Sequence, residues 1–155
     1  MPRRRSALLW VLAWTLFSGC ASPSITVTVP EVYTFDIADP AATRQQIGLA
    51  LGRQADAFAA TRPDAQTWRG MGLSMEPLIP PEAWVVTEPV AFAQLQIGQV
   101  VLFRGRGGRL VAHALVKSTR QGWITMGVNN RQVTDSTRVN AINYIGVVTA
   151  AFVAR

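Results

Sequence analysis

The stretch QVVLFRGRGGRLVAHALVK, residues 99–117, decides the fold that the sequence predicts. It consists of two apolar, β-prone runs, 99–103 and 109–117, on either side of a short segment rich in glycine and arginine. Two such runs joined by a glycine-containing turn are typical of a β-hairpin. The stretch therefore predicts two neighbouring strands of one sheet.

Further short β-prone runs extend this pattern from residue 67 to the end of the chain. They cover residues 83–86, 122–126 and 144–152, and with the hairpin they make five predicted strands. The chain has 155 residues, 49% of them hydrophobic, with 12 Gly and 9 Pro, which favours one strand-rich domain over a disordered or all-helical chain. The predicted fold class is mostly β, with a small β-domain at 67–155.

A tether and a helix are predicted before this domain, at 20–38 and 39–62. Residues 22–35 alternate Ile and Val with Thr and Ser and are expected to form an extended tether or a lone strand. Asp39 is a suitable helix cap, and Pro40 suits the first helical position. The apolar residues of the predicted helix that share one face are Ile47, Leu51, Ala55 and Phe58. The sequence leaves open whether this helix packs on the domain or holds it off the membrane.

The first 20 residues have the features of an export signal. Arg3–Arg5 form a basic region, residues 7–17 form an apolar run, and Ser18-Gly19-Cys20 follows. The apolar run is too short for a permanent membrane-spanning helix, which needs about 20 residues. Residues 1–19 are therefore predicted to be a signal that is removed after Gly19.

Cys20 is the only cysteine, and it directly follows small residues at the end of the apolar run. This arrangement resembles the lipobox of bacterial lipoproteins, in which the cysteine is diacylated and becomes the new N-terminus. The resemblance implies membrane attachment through a lipidated Cys20, with the domain on the extracytoplasmic side of a bacterial envelope, in the periplasm or at the cell surface. An uncleaved signal anchor and an unmodified reduced cysteine are the alternatives, and a lone cysteine forms no intrachain disulfide.

The charge of the chain gives little support to nucleic-acid binding. The formal net charge of +6 includes Arg3–Arg5, and without them 12 basic and 9 acidic residues leave +3. Arg104, Arg106 and Arg109 cluster in the predicted hairpin loop, where a solvated turn or contact with anionic lipid headgroups explains them. No nucleic-acid partner is expected.

Residues 71–79, MGLSMEPLI, contain the motif that bears most directly on function. They resemble the nucleophile box of signal peptidase I and of the repressor-type self-cleaving peptidases that share its fold, where a Ser-Met-x-Pro sequence places the attacking hydroxyl at the edge of a β-sheet. The resemblance implies that Ser74 is the nucleophile of a serine peptidase. The residues of this nucleophile and oxyanion box are Gly72, Leu73, Met75 and Pro77.

Two segments of the predicted hairpin resemble the next boxes of this family. Residues 98–103, GQVVLF, are similar to a Gly-Asp-Ile-Val-Val-Phe strand, with Gln99 in place of the Asp. Residues 111–116, VAHALV, are similar to the box of the general base, which is Lys in the bacterial enzymes and His in the endoplasmic-reticulum and archaeal forms. The resemblance therefore implies His113 as the base.

Residues 127–136, GVNNRQVTDS, resemble the closing Gly-Asp-Asn…Asp-Ser box of the family. Val128 replaces the first Asp, and Asp135 keeps the second. Val133 stands where the Lys-type enzymes carry a Ser that contacts the lysine, and Gly72 stands where they carry a Ser two residues before the nucleophile. Arg138 resembles the Arg that closes this box, with one residue inserted.

The chemistry of serine nucleophiles leads to the same pair of residues. A serine hydroxyl needs a base to accept its proton, and histidine is the most suitable side chain near neutral pH. The chain has one histidine, so any Ser–His pair must use His113, and Asp135 is the candidate carboxylate that would orient the ring. Lys117, four residues further along the strand and about 13 Å away, is the alternative base. Each residue also has a purely structural interpretation. Ser74 would be a turn serine, His113 a core histidine and Asp135 a turn aspartate.

The sequence therefore predicts a membrane-tethered serine endopeptidase that hydrolyses exported proteins, binding them as extended strands. No metal or other cofactor is expected, since one His and one Cys do not build a usual zinc site. Two alternatives remain open at this point: a catalytically inactive peptide-binding lipoprotein on the same fold, and a self-processing peptidase that cleaves its own tether between Cys20 and Thr67.

Overall fold

Seven strands and one helix are present in the part of the chain that the computed structural model describes, which is residues 25–37, 41–70, 72–130 and 133–155. The elements are β1 (Glu31–Phe35), α1 (Arg44–Ala59), β2 (Gln66–Arg69), β3 (Trp84–Glu88), β4 (Val100–Arg104), β5 (Leu110–Thr119), β6 (Gly122–Met126) and β7 (Tyr144–Ala154). The predicted mostly-β class is confirmed. All five predicted strands are present as β3 to β7, and the sequence did not predict β2.

All seven strands belong to one sheet, in which β7 is central. The strand order is β2-β3-β7-β4-β5-β6. β3 pairs with β7 along one side, while β4 pairs with the first half of β7 and β1 with its second half on the other side. The β1–β7 pair is parallel and the remaining pairs are antiparallel. The predicted hairpin is the β4–β5 pair.

Part of the segment predicted as a tether or a lone strand belongs to the sheet. β1 lies within the interval 20–38 and supplies a strand that extends the sheet beside the second half of β7. Of the two predicted forms, the strand is present as β1, and it pairs with β7 instead of standing alone, because the backbone of β7 offers hydrogen bonds there that only a tertiary contact reveals. Cys20 and the predicted export signal at 1–19 lie outside the described residues.

Contacts before and within β1 attach this segment to the domain. The backbone N–H of Thr28 donates to the carbonyl of Gly98 at 2.8 Å. Gly98 has a φ of 90°, and a Cβ there would lie 2.1 Å from the carbonyl oxygen of Thr26, so only glycine fits. Further along, Tyr33 stacks on Phe152 of β7 with ring centroids 5.0 Å apart. The N-terminal segment is thus packed on the sheet at two separate points.

Helix α1 begins at Arg44, later than the sequence predicts. Thr43 is its N-cap and forms a capping box with Gln46, in which each side chain accepts from the other residue's backbone N–H. The predicted start at Asp39 and Pro40 is therefore wrong, because the Thr-x-x-Gln pattern satisfies the first N–H groups of the helix. Asp39 and Pro40 themselves lie outside the described residues. No helix among the described residues has the length and hydropathy of a membrane span.

The helix packs on the sheet, which answers the question that the sequence leaves open. Leu51 and Ala55 are buried against Val86 and Phe152, which lie on β3 and β7. The helix and β1 share this apolar cluster with strands of the predicted domain at 67–155. They therefore belong to the same packed unit as those strands.

Apolar side chains fill both faces of the sheet. On β4, Val100 and Leu102 contribute to the cluster that contains Met75, and the alternating residues Val101 and Phe103 contribute to another cluster. All five side chains are buried. This two-sided burial explains why β4 is a continuous apolar run in the sequence rather than an alternating one.

Two glycines of α1 give a matched test of the helix–sheet contact. A Cβ at Gly52 would lie 2.9 Å from the Trp84 ring, whereas a Cβ at Gly48 would have its nearest contact, with Arg69, at 3.5 Å. We expect Gly48→Ala to raise the free energy of unfolding by about 0.5–1 kcal/mol, because alanine favours the helix. We expect Gly52→Ala to lower it by about 1–3 kcal/mol through overpacking. Urea denaturation of both variants checks this, and equal effects would contradict the packing described.

Candidate active site

Ser74 lies in a turn that follows β2 and is held on the sheet by its neighbours. Met75 is 3% exposed and Ile79 is 5% exposed, and both belong to one core cluster. The N–H of Ile79 donates to the carbonyl of Met75 at 3.0 Å. Burial of these two side chains fixes the turn, while Ser74 itself stays half-buried at its surface.

The loop after β6 anchors the same turn from the other side. The backbone N–H of Asn129 donates to the carbonyl of Ser74 at 2.8 Å, and its side-chain amide donates to the carbonyl of Leu73 at 3.1 Å. Gly127 allows this close approach, since a Cβ there would lie 2.7 Å from the Ser74 carbonyl oxygen. Two backbone carbonyls of the turn are therefore tied to a single asparagine.

His113 lies on β5 and faces Ser74. It pairs with Val101 of β4, and its side chain is buried with 5% exposure. Its Nε2 lies 2.8 Å from the Ser74 Oγ, although the two residues are 39 positions apart. The Phe103 ring lies against the imidazole in a T-shaped arrangement, with centroids 6.5 Å apart. The imidazole is thus held at hydrogen-bond distance from the hydroxyl.

Asp135 completes a hydrogen-bonded series of three side chains. Its Oδ2 lies 2.5 Å from the Nδ1 of His113. The segment that carries it runs along β6, where Thr134 forms a bridge with Met126 and the Asp135 N–H donates to the Thr125 carbonyl at 2.8 Å. This backbone pairing brings the carboxylate to the far side of the imidazole from Ser74.

These contacts assign the proton positions of the site. A carboxylate accepts hydrogen bonds, so the neutral imidazole of His113 carries its proton on Nδ1 and donates it to Asp135. Nε2 is then free to accept the hydroxyl proton of Ser74. This is the arrangement of the serine–histidine–aspartate triad, in which the histidine is the general base and the carboxylate orients it.

The surroundings of Asp135 favour its ionised form. Burial by itself would raise the pKa of Asp135, but hydrogen bonds from His113 and Thr125 and the charge of the imidazolium together lower this pKa below its ordinary value. The carboxylate therefore stays charged when the imidazole takes up a proton. A charged partner is what stabilises the imidazolium during catalysis by such triads.

Two backbone N–H groups of the turn, those of Ser74 and Met75, donate no hydrogen bond within the described residues. Backbone donors beside a nucleophilic serine are suited to bind the oxyanion that forms when the hydroxyl attacks a carbonyl. At Gly72, a Cβ would meet only the Ser74 Oγ, at 3.9 Å, so the space beside the hydroxyl is open.

The remaining residues of the predicted nucleophile box have different surroundings. Met75 is a core residue, whereas Leu73 is 58% exposed beside Ser74. Pro77 is exposed and follows a cis peptide bond from Glu76. The box therefore combines one anchoring side chain with exposed residues that are accessible to a ligand.

Lys117, the alternative base, is not brought to Ser74. It is exposed near the end of β5, and a β-bulge separates it from Leu115. The Ser74 hydroxyl is bonded to His113 instead. The geometry thus favours the histidine of the two candidate bases.

Other residues of the family-like boxes have structural contacts. Val128 packs on the core cluster of Met75, in place of the expected Asp. Val133 is exposed. Arg138 donates from Nη1 to the backbone carbonyl of Asp135 at 2.9 Å and so braces the segment that carries the carboxylate.

Two residues of the site were not assigned a role from the sequence. Thr125 donates its hydroxyl to Asp135 Oδ2 at 2.6 Å, and Asn129 holds the Ser74 turn. A signal for Thr125 exists in the sequence, because it is a polar residue inside an apolar strand. Asn129 lies within the closing box, but only the fold shows that its partner is the turn of Ser74.

Comparison with known proteins adds no assignment to this geometry. No family model, curated protein or solved structure matches the chain. The relation to signal peptidases is therefore a resemblance of short motifs and stays a prediction. A functional proposal depends on the site geometry and on that resemblance.

The lowered pKa of Asp135 predicts a pH-dependent contribution to stability. A carboxylate with a lowered pKa in the folded state stabilises the fold above its ordinary pKa, and this contribution disappears as the pH falls through the folded value. We expect the difference in unfolding free energy between wild type and Asp135→Asn to be largest above about pH 5 and to shrink below about pH 4. Urea denaturation across this range measures it, with Asp64→Asn as the control for loss of an exposed carboxylate. A difference that does not change with pH would contradict the assignment.

Proposed function

We propose that the chain is a serine endopeptidase that hydrolyses exported proteins at the extracytoplasmic side of a membrane. The observation that carries this proposal is the series of two hydrogen bonds, 2.8 Å from Ser74 to His113 and 2.5 Å from His113 to Asp135. Attachment to the membrane would be through a lipidated Cys20, as the lipobox-like sequence implies. The order of the motifs adds support from the sequence.

In the proposed reaction, His113 accepts and returns a proton in each half, while Asp135 orients the imidazole. Ser74 Oγ attacks the substrate carbonyl carbon while His113 Nε2 takes the hydroxyl proton, and the unpaired N–H groups of the Ser74 turn are the proposed donors to the oxyanion. Collapse of the tetrahedral intermediate breaks the peptide bond, and the imidazolium gives its proton to the leaving amine. Water then attacks the acyl-enzyme while His113 takes its proton, and the imidazolium returns a proton to Ser74 Oγ as the ester bond breaks and the acid product leaves.

The open edge of β5 supports an extended polypeptide as the substrate. Residues 110–112 pair with β4 on one side, and β6 begins to pair with β5 only at Ala114. No described residue pairs with the other edge of 110–112, directly before His113. A peptide added there as a strand would gain main-chain hydrogen bonds and place its carbonyls near Ser74.

Two clefts, of ≈ 550 and ≈ 230 Å³, lie beside α1 and are not lined by Ser74.

A peptide-binding module without activity is the second candidate function. Gly72 favours it, because the Lys-type peptidases that the sequence resembles carry a serine hydroxyl at this place and this chain does not. The same free edge of β5 would then hold a partner without cleaving it. Cleavage assays separate the two functions.

Cleavage of a denatured, fluorescently labelled polypeptide by the full chain in detergent tests the enzyme proposal. We expect Ser74→Ala to abolish cleavage and Asp135→Asn to reduce kcat by up to about 10⁴-fold, since triads depend on the correct tautomer. We expect His113→Ala to be similarly impaired. Lys117→Ala is the matched control and should retain wild-type activity within about twofold, because an exposed side chain off the site contributes little.

Each alternative gives a different result in this assay. A well-folded wild type that binds the polypeptide but does not cleave it would favour the binding module. Activity that survives His113→Ala but is lost in Lys117→Ala would contradict the assigned base. If purified wild type is shorter than purified Ser74→Ala, with a mass that corresponds to cleavage between Cys20 and Thr67, the chain processes itself.

A substitution at Gly72 is expected to raise kcat. The open space at this residue accommodates a serine side chain, whose hydroxyl could donate to the oxyanion beside the backbone N–H groups. We expect Gly72→Ser to raise kcat by about tenfold, a modest part of what one such donor is worth. Gly72→Ala is the control that adds the Cβ alone. Equal kcat values for both variants would show that the hydroxyl does not reach the oxyanion.

A further inference from the structure

We propose that Thr125 is a positioning residue that holds the carboxylate of Asp135 in the orientation that His113 requires. This inference rests on the proposed function for its catalytic meaning. Thr125 is 0% exposed, and its hydroxyl has one acceptor among the described residues, the Oδ2 of Asp135 at 2.6 Å. The same oxygen accepts from Nδ1 of His113.

Thr125 makes two hydrogen bonds with Asp135. Its carbonyl accepts the backbone N–H of Asp135 at 2.8 Å, and its hydroxyl donates to the side chain. The first bond places the residue beside β6, and the second sets the rotation of the carboxylate. One strand residue thus fixes both the position and the orientation of the aspartate.

These two hydrogen bonds are needed because Asp135 does not lie in a strand. It belongs to the segment after β6, which meets that strand through isolated bridges, Thr134 with Met126 and Val139 with Trp123. Fixing a half-buried carboxylate on such a segment costs rotamer entropy, and the hydrogen bond from Thr125 offsets this cost. Thr125 has a β-branched side chain with a restricted χ1, so its hydroxyl is already directed before Asp135 arrives.

The predicted consequence of losing the hydroxyl is specific to catalysis. Without it, the carboxylate can rotate away from Nδ1, and the imidazole no longer has one fixed tautomer. A displacement of about 1 Å in a catalytic array can cost about 100-fold in rate. The hydroxyl bond also contributes to the lowered pKa of Asp135, which keeps the carboxylate ionised.

Kinetics of two substitutions with different hydroxyl content test this role. Thr125→Val keeps the shape and removes the hydroxyl, and we expect it to lower kcat by about 10- to 100-fold with little change in KM. Thr125→Ser keeps the hydroxyl and should stay within about threefold of wild type. Thr149→Val is the matched control, because the Thr149 hydroxyl donates to the carboxylate of Glu88 at 2.9 Å, away from the site.

A second measurement does not need activity. The chain has a single histidine, so its imidazole NMR signals belong to His113 without further assignment. In wild type and Thr125→Ser, the Nδ1 proton should be a downfield signal protected from exchange. In Asp135→Asn it should be lost, and in Thr125→Val it should be broadened by exchange. If no form of the chain cleaves peptides, the proposed function fails, while these spectra still decide the role of the hydroxyl.

The outcomes that overturn the inference are specific. Thr125→Val with wild-type kcat and a sharp Nδ1 signal would show that Asp135 does not need the hydrogen bond from the Thr125 hydroxyl. Thr125→Ser as impaired as Thr125→Val would assign the effect to packing of the methyl group instead. If Thr125→Val does not fold, Thr125→Ala replaces it in both measurements, with the same expectations.

Discussion

The hydrogen bond between His113 Nε2 and Ser74 Oγ is the interaction on which the account of this molecule depends. It joins residues 39 positions apart at 2.8 Å, so two separate parts of the chain must both be rigid. β5 fixes the histidine within the sheet. Burial of Met75 and the bonds from Asn129 fix the serine turn. The fold therefore supports the pair from both sides, which is the condition for a preorganised site.

The sequence predicted most of the sheet and the pair itself for physical reasons. β4 and β5 are long apolar runs around a glycine-rich turn, so their pairing is local and visible in the sequence. A lone histidine leaves no choice of base for a Ser–His pair. Asp135 was placed by its motif. The roles of these three residues remain a proposal that the geometry supports.

What the sequence did not predict depends on long-range contacts. β1 forms because the second half of β7 has a free edge, and β2 is a four-residue strand that pairs with β3. The alternation at 22–35 predicts a strand as one of two forms but not its pairing with β7, and β2 is not evident from local propensity. The hydroxyl of Thr125 looks like an ordinary strand residue until the segment of Asp135 is laid along β6. Tertiary pairing determines the position of β1, the strand β2 and the last member of the hydrogen-bond series.

Covalent modification of the full chain by a serine-directed phosphonate tests directly whether His113 activates Ser74. The proposed pair predicts a single adduct, mapped by peptide mass spectrometry to Ser74. It also predicts that the rate of formation falls strongly in His113→Ala, because the hydroxyl then has no base to accept its proton. No adduct at Ser74 of the folded wild type, or an unchanged rate in His113→Ala, would contradict activation of Ser74 by His113.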